Sequence, residues 1–157
     1  MELDRIDKRI LRELQANGRI SNQQLADKVG LSPSPCLRRV KQLEDEGYIQ
    51  GYVALVNASK LGLKMLALIQ VRMDRHTPER FEQFERALRE YPQVLECVLI
   101  TGQTADYQVK VIVADMEEYQ DFLLNKITPL AGVSDVHSSF ILRQVIHTTA
   151  VPIPELI

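Results

Sequence analysis

The stretch from Ser21 to Tyr48 constrains the fold most, because its caps, breakers and apolar spacing specify two short helices joined by a tight turn. Ser21 caps the first, Gln24 reaches back to the Ser21 N–H, and Ile20 staples onto Leu25. Gly30 supplies the left-handed residue that ends this helix, and Ser32-Pro33 starts the next, since proline at the first helical position loses no hydrogen bond. Pro35 is tolerated in the same turn, whose N–H groups have no intrahelical partner. Leu37, Val40 and Leu43 repeat at helical spacing and are predicted to face inward, and Gly47 closes the element.

The opposite face of this second helix carries Ser34, Arg38, Arg39, Lys41 and Gln42, with no acidic residue before Glu44. Ser34, Arg38 and Gln42 share one stripe at i, i+4, i+8. A helix that offers hydroxyls and guanidinium groups, braced by the helix before it, is built to enter a DNA major groove. The blander alternative is a solvated basic face on a helical hairpin. Upstream, Asp4 caps a further helix with Ile6, Ile10, Leu11 and Leu14 on one side, ending near Asn17-Gly18. Three helices in under fifty residues make a trihelical unit with the third as reader.

A net charge of −2 argues weakly against nucleic acid if spread evenly, but it is not. Residues 1–60 hold ten Lys and Arg against eight Asp and Glu, whereas residues 61–157 hold nine against thirteen. The asymmetry points to a binding module joined to a module with another task. An apolar fraction of 45% with 25% charged residues is that of a globular protein. No apolar run is long enough to span a bilayer and no leader opens the chain, which predicts a cytoplasmic location. Cys36 and Cys97 belong to no ligand pair and read as small core hydrophobes.

Beyond Gly47, Tyr48 to Val56 is rich in strand formers and reads as a short strand or wing, followed by a turn through Asn57-Ala58-Ser59. The second half then alternates. Met65 to Met73 is a strand, Thr77-Pro78-Glu79 starts a helix with Phe81, Phe84, Leu88 and Tyr91 on one face, and Val94 to Thr101 is a second strand. Tyr107 to Val113 is a third, Asp115 and Glu118 form a capping box for a helix with Tyr119, Phe122 and Leu123 inward, and Val136 to Val145 is the last strand. That order is the split βαββαβ, ferredoxin-like arrangement, an antiparallel sheet with both helices on one face. The fold class is therefore α+β: a winged helix-turn-helix domain over 1–52, a linker over 53–63, and a ferredoxin-like domain over 64–157.

Strands one and two are apolar on both faces: Leu66 and Leu68 oppose Ala67, Ile69 and Val71, and Val98 and Ile100 oppose Leu95, Cys97 and Leu99. An uncovered apolar sheet face marks a partner surface, and the simplest partner is another copy of the chain. A homodimer also suits the helix-turn-helix, since two units related by a dyad read two half-sites of a palindromic duplex.

The runs Leu3-Asp4-Arg5-Ile6-Asp7, Leu11-Arg12-Glu13-Leu14-Gln15, Gly18-Arg19-Ile20-Ser21-Asn22, Val29 through Val40 and Gly47-Tyr48-Ile49-Gln50-Gly51-Tyr52 closely resemble the Lrp/AsnC family of leucine-responsive and asparagine-responsive transcription regulators. The likeness spans nearly the whole chain. It implies a winged helix-turn-helix joined to a ferredoxin-like effector domain, dimers that assemble into octamers, and a small effector, usually an amino acid, bound between dimers near the loop joining the second and third strands. By that resemblance the effector-binding residues are Gly102, Gln103, Thr104, Asp106 and Tyr107, facing Val136, His137 and Ser138. The family's loop commonly has two residues between its glycine and aspartate; this one has three.

The chemistry of such a loop is suitable. An amino acid's carboxylate wants the donors that Gly102, Thr104 and Ser138 provide, and its ammonium wants the Asp106 carboxylate. Read from the residues alone, the preferred account is that Gly102 makes the turn and Asp106 merely satisfies it; the resemblance turns the reading to a pocket. Apolar neighbours favour leucine or methionine as the effector. No cofactor and no metal are expected: His76, His137 and His147 lack ligand spacing, no phosphate-cradling glycine motif occurs, and strand alternation sends His137 and Ser138 to opposite faces, which removes a triad with Asp135.

The expectation is a non-enzymatic, amino-acid-responsive regulator that binds duplex DNA. Ser32, Ser34, Pro35, Arg38, Arg39, Lys41 and Gln42 form the DNA-facing set. Two alternatives remain at this point: an amino-acid-sensing subunit of a metabolic enzyme, and a nucleoid-associated DNA-binding protein with no effector.

Overall fold

The computed structural model describes residues 2–102 and 104–154. The chain divides into two compact units, Met1–Leu55 with Ile146–Ile157 and Val56–Val145. No helix among the described residues is long and apolar enough to cross a membrane.

The first unit contains α1 (Arg5–Ala16), α2 (Asn22–Val29) and α3 (Pro33–Asp45). Their ends are set by the local chemistry expected. Asp4 accepts the Asp7 N–H at 2.8 Å while the Asp7 carboxylate accepts the Asp4 N–H at 3.1 Å, a capping box that uses aspartate at its third position. Ser21 Oγ accepts the Gln24 N–H at 3.1 Å and Gln24 Oε1 accepts the Ser21 N–H at 3.3 Å. Gly30, at φ 78°, closes α2 in the left-handed region. Ile10, Leu25, Ala26, Val29, Cys36 and Leu43 form the core.

Three sequence expectations fail in this unit. Leu37 is 57% exposed, and Cys36 is fully buried in its place. Cys36, Val40 and Leu43 also satisfy an i, i+4, i+7 spacing, and that stripe packs on α1 and α2. The segment after Gly47 forms no strand, because this unit offers it no neighbouring strand to pair with. Instead Tyr52 folds back, its hydroxyl donating to Glu44 Oε1 at 2.9 Å. The segment 146–154 also belongs to this unit, where the sequence pattern predicts a second domain that runs over 64–157. Gln15 holds it by two bonds, Nε2 donating to the Val151 carbonyl at 3.0 Å and Oε1 accepting the Val151 N–H at 2.7 Å.

The second unit follows the split βαββαβ order: β1 (Met65–Met73), α4 (Pro78–Arg89), β2 (Val94–Leu99), β3 (Tyr107–Val113), α5 (Met116–Phe122) and β4 (Val133–Phe140). The strands are antiparallel in the order β2-β3-β1-β4. Alternate residues Ala67, Ile69, Val71 and Met73 of β1 and Tyr107, Val109, Val111 and Val113 of β3 are buried with Phe84 and Leu88 of α4, Tyr119 and Phe122 of α5, and Ile127 in the π-helical turn that continues α5. The other sheet face mixes half-buried Leu66, Leu68 and Ile112 with Gln108, Lys110 and exposed Val98 and His137.

β4 begins and ends earlier than its apolar pattern implies. Its length is set by β1: Phe140 pairs with Ala67, the Ile141 N–H reaches the Leu66 carbonyl at 3.0 Å, and β1 then runs out. Leu142 and Val145, expected in the strand, are 98% and 78% exposed. β2 likewise stops at Leu99 rather than Thr101.

Candidate nucleic-acid interface and ligand site

The reading face of α3 is fixed before any ligand arrives. Asn22 Nδ2 donates to the Pro33 carbonyl at 2.8 Å, tying the first turn of α2 to the first turn of α3. Ser34, Arg38, Lys41 and Gln42 are exposed together, Pro35 is half-buried behind them, and Ser32 sits at the N-cap with no side-chain capping bond. Arg38 makes no ion pair among the described residues, and Lys41 is loosely paired with Asp45 at 3.9 Å. The face thus presents one unpaired guanidinium and one loosely held ammonium, donors that phosphates and guanine edges accept.

Arg39 does not belong to that face. Its Nη1 lies 2.7 Å from Asp4 Oδ2 and 2.8 Å from Asp7 Oδ1, so it is turned towards α1. The geometry explains this: Arg39 stands three residues after buried Cys36 and four before buried Leu43, on the shoulder of the inward face. Its hydrogen bonds to Asp4 and Asp7 raise its pKa further. Arg9 is similarly committed, donating to the Lys28 carbonyl at the end of α2 at 2.6 Å.

In the second unit, the β2–β3 loop and the start of β4 lie at the same end of the sheet. Val71 of β1 pairs with Tyr107 on one side and with Val136 on the other, so the two segments are separated by one strand. Gly102 and Thr104 are exposed on the loop, and Gln103 lies outside the described residues. Asp106 is a staple: Oδ2 accepts the Met73 N–H at 2.7 Å, Oδ1 lies 2.8 Å from His76 Nε2, and its N–H donates to the Val71 carbonyl at 2.9 Å.

The remaining residues of the expected set do not converge. Tyr107 is 1% exposed, its hydroxyl donates to Glu85 at 2.7 Å, and its ring packs against Phe81 and Phe84. Burial first, and the Glu85 carboxylate second, push its phenol pKa well up. Its side chain is a core element. Val136 and Ser138 point to the helix-covered face, where Ser138 accepts a hydrogen bond from Tyr119, whereas His137 lies on the opposite face, 3.1 Å from Asp135. His76, unremarkable in the sequence, joins the loop only through folding; its partner is thirty residues away and no local pattern could have shown it. A cavity of about 420 Å³ opens beside this region between α4 and β2, bordered by Glu85, Leu95, Cys97 and Leu99.

Comparison with known proteins matches both units. Residues 3–50 match a family model described as winged helix-turn-helix DNA-binding, and residues 66–151 match the Lrp/AsnC ligand binding domain. The leucine-responsive regulatory protein of Escherichia coli K12 is 43% identical over 144 residues, which cover 92% of this chain and 87% of that protein. A transcriptional regulator of Neisseria meningitidis, solved as a complex with L-methionine, superposes with a TM-score of 0.92 at 41% identity, covering 96% of this chain and 97% of the other. An AsnC family regulator from Agrobacterium tumefaciens gives 0.90 at 35% identity, with 96% and 97% covered.

Proposed function

This chain belongs to the Lrp/AsnC family of transcription regulators, and from that premise we propose that it binds specific duplex DNA through α3 and adjusts that binding to the level of a free amino acid. The observation that carries the first half is the exposed Ser34, Arg38, Lys41 and Gln42 face, on which Arg38 has no ion pair among the described residues and Lys41 only a long one. Ser32 at the N-cap adds a hydroxyl and an end-of-helix N–H for a phosphate. Arg39 supports the reader from behind.

The amino acid is held by the β2–β3 loop, at the end of the sheet where β4 also begins one strand away. Gly102 and Thr104 offer donors to its carboxylate, and the Asp106 carboxylate, oriented by Met73 and His76, retains lone pairs for its ammonium. Leucine and methionine are the effectors of choice: the first is in the name of a 43% identical relative and the second is bound in a 41% identical one. The protein acts in the cytoplasm as a homodimer on a palindromic operator, dimers joining into an octamer with the effector between them. The effector shifts DNA affinity only by binding one assembly state better than another.

The test is a titration of labelled promoter duplex with the full chain, over a salt series, with and without leucine or methionine. The expected result is an affinity that falls linearly with salt on logarithmic axes and changes with one of the two amino acids. Binding that ignores salt, or that neither amino acid alters, contradicts the corresponding half of the reading.

A further inference from the structure

Leu37 is the sole large apolar side chain exposed on α3 among the described residues, and it stands in the middle of the cationic face. Ser34 precedes it by one turn, Lys41 follows it by one turn, and Arg38 is its neighbour, all three exposed. The packing of α3 is complete without it, since Cys36 and Leu43 are fully buried and Val40 packs against them. Leucine at this position therefore contributes nothing to the core. Held among Ser34, Arg38 and Lys41, it sits where the reader enters the groove, and the major groove displays one apolar group, the 5-methyl of thymine.

We propose that Leu37 is a specificity-determining residue that packs against a thymine methyl in each half-site, flanked by the hydrogen-bonding contacts of Ser34 and Arg38. The cationic rim favours a polyanion over a second protein surface, because an apolar protein partner would have to desolvate Arg38 and Lys41 without pairing them. This inference rests on the DNA-binding reading above and adds to it a base and an atom.

The test begins with selection of duplexes from a random-sequence pool by the full-length protein. The enriched duplex is then copied with either thymidine or deoxyuridine triphosphate, so that the two forms differ only in the 5-methyl groups. Loss of a buried methyl contact weakens binding about fourfold, and on the order of tenfold for a dimer reading two half-sites. Wild type is expected to show that preference for the thymine form, and Leu37→Ala to bind both forms within about twofold. An alanine at this exposed helical position leaves the fold intact, which a melting curve verifies. Equal binding of both forms by wild type, an undiminished preference in Leu37→Ala, or recovery of no enriched sequence although duplex is bound, overturns the assignment. Failure to bind any duplex at low salt instead overturns the DNA reading itself, and Leu37 with it.

Discussion

Arg39 Nη1 lies 2.8 Å from Asp7 Oδ1, joining α3 to a carboxylate that is 2% exposed and is already part of the α1 capping box. One guanidinium thereby locks the start of α1 against the middle of the reading helix. Removing it leaves a buried carboxylate with no cation. Arg39→Ala is expected to lower stability by about 2 to 4 kcal/mol, whereas Arg38→Ala, on the free face, changes it by less than about 0.5 kcal/mol. Denaturant titration of the two variants measures the contrast; equal losses would mean that Arg39 is as dispensable to the fold as its neighbour.

The same lock is sensitive to acid. The Asp7 backbone N–H first, and Arg39 after it, hold the Asp4 carboxyl below its ordinary value of 3.8. A lowered folded-state pKa contributes stability that is complete above the unfolded value and is lost as pH falls through the folded one. The Asp4 contribution is therefore expected to be constant from neutrality down to about pH 4 and to disappear below it. Asp4→Asn should flatten that part of the stability profile. An unchanged acid limb would contradict the assignment.

Gly132 turns the chain into β4 at φ 91°, and a Cβ there would lie 2.7 Å from Arg80 Cδ and 2.9 Å from Met73 Cε. Arg80 has little freedom to yield, since its Nε is 3.2 Å from Asp74. Gly132→Ala is expected to cost about 2 to 4 kcal/mol, while Gly30→Ala, equally left-handed but with open space around it, costs about 1 to 2 kcal/mol. Melting of both variants tests whether crowding adds to backbone strain.

Asp106→Ala strands the Met73 N–H and frees His76, which is expected to destabilise the second unit by about 1 to 2 kcal/mol and to abolish the melting-point rise given by leucine or methionine. His76→Ala should weaken that rise while leaving the Met73 bond in place. A ligand shift that survives Asp106→Ala unaltered would remove Asp106 from the site.

What was legible in the sequence was local. The Ser21-Gln24 box, Gly30 and Pro33 act within four residues of themselves, and each stands as expected. The βαββαβ order was legible for the same reason, through alternation within each strand. Leu37 and Cys36 were interchanged because both satisfy the helical period with Val40 and Leu43, and only packing against α1 and α2 decides between them. The end of β4 depends on where β1 starts, some seventy residues earlier. In the ligand region, the division of Val136, His137 and Ser138 between two faces follows from strand alternation, but the His76 to Asp106 contact and the Gln15 clasp on Val151 join residues 30 and 136 positions apart. Periodicity carries no information over such distances.

The reading of α3 as a DNA-binding surface is tested most directly by anisotropy titrations of one duplex with wild type and Arg38→Ala over a range of salt. Wild type should bind with a steep negative salt dependence, and Arg38→Ala should bind about tenfold more weakly, with a slope reduced by about one if the residue contacts a phosphate and unchanged if it contacts a base. An Arg38→Ala protein that binds as tightly as wild type, or a wild type that ignores the duplex at low salt, would contradict the account.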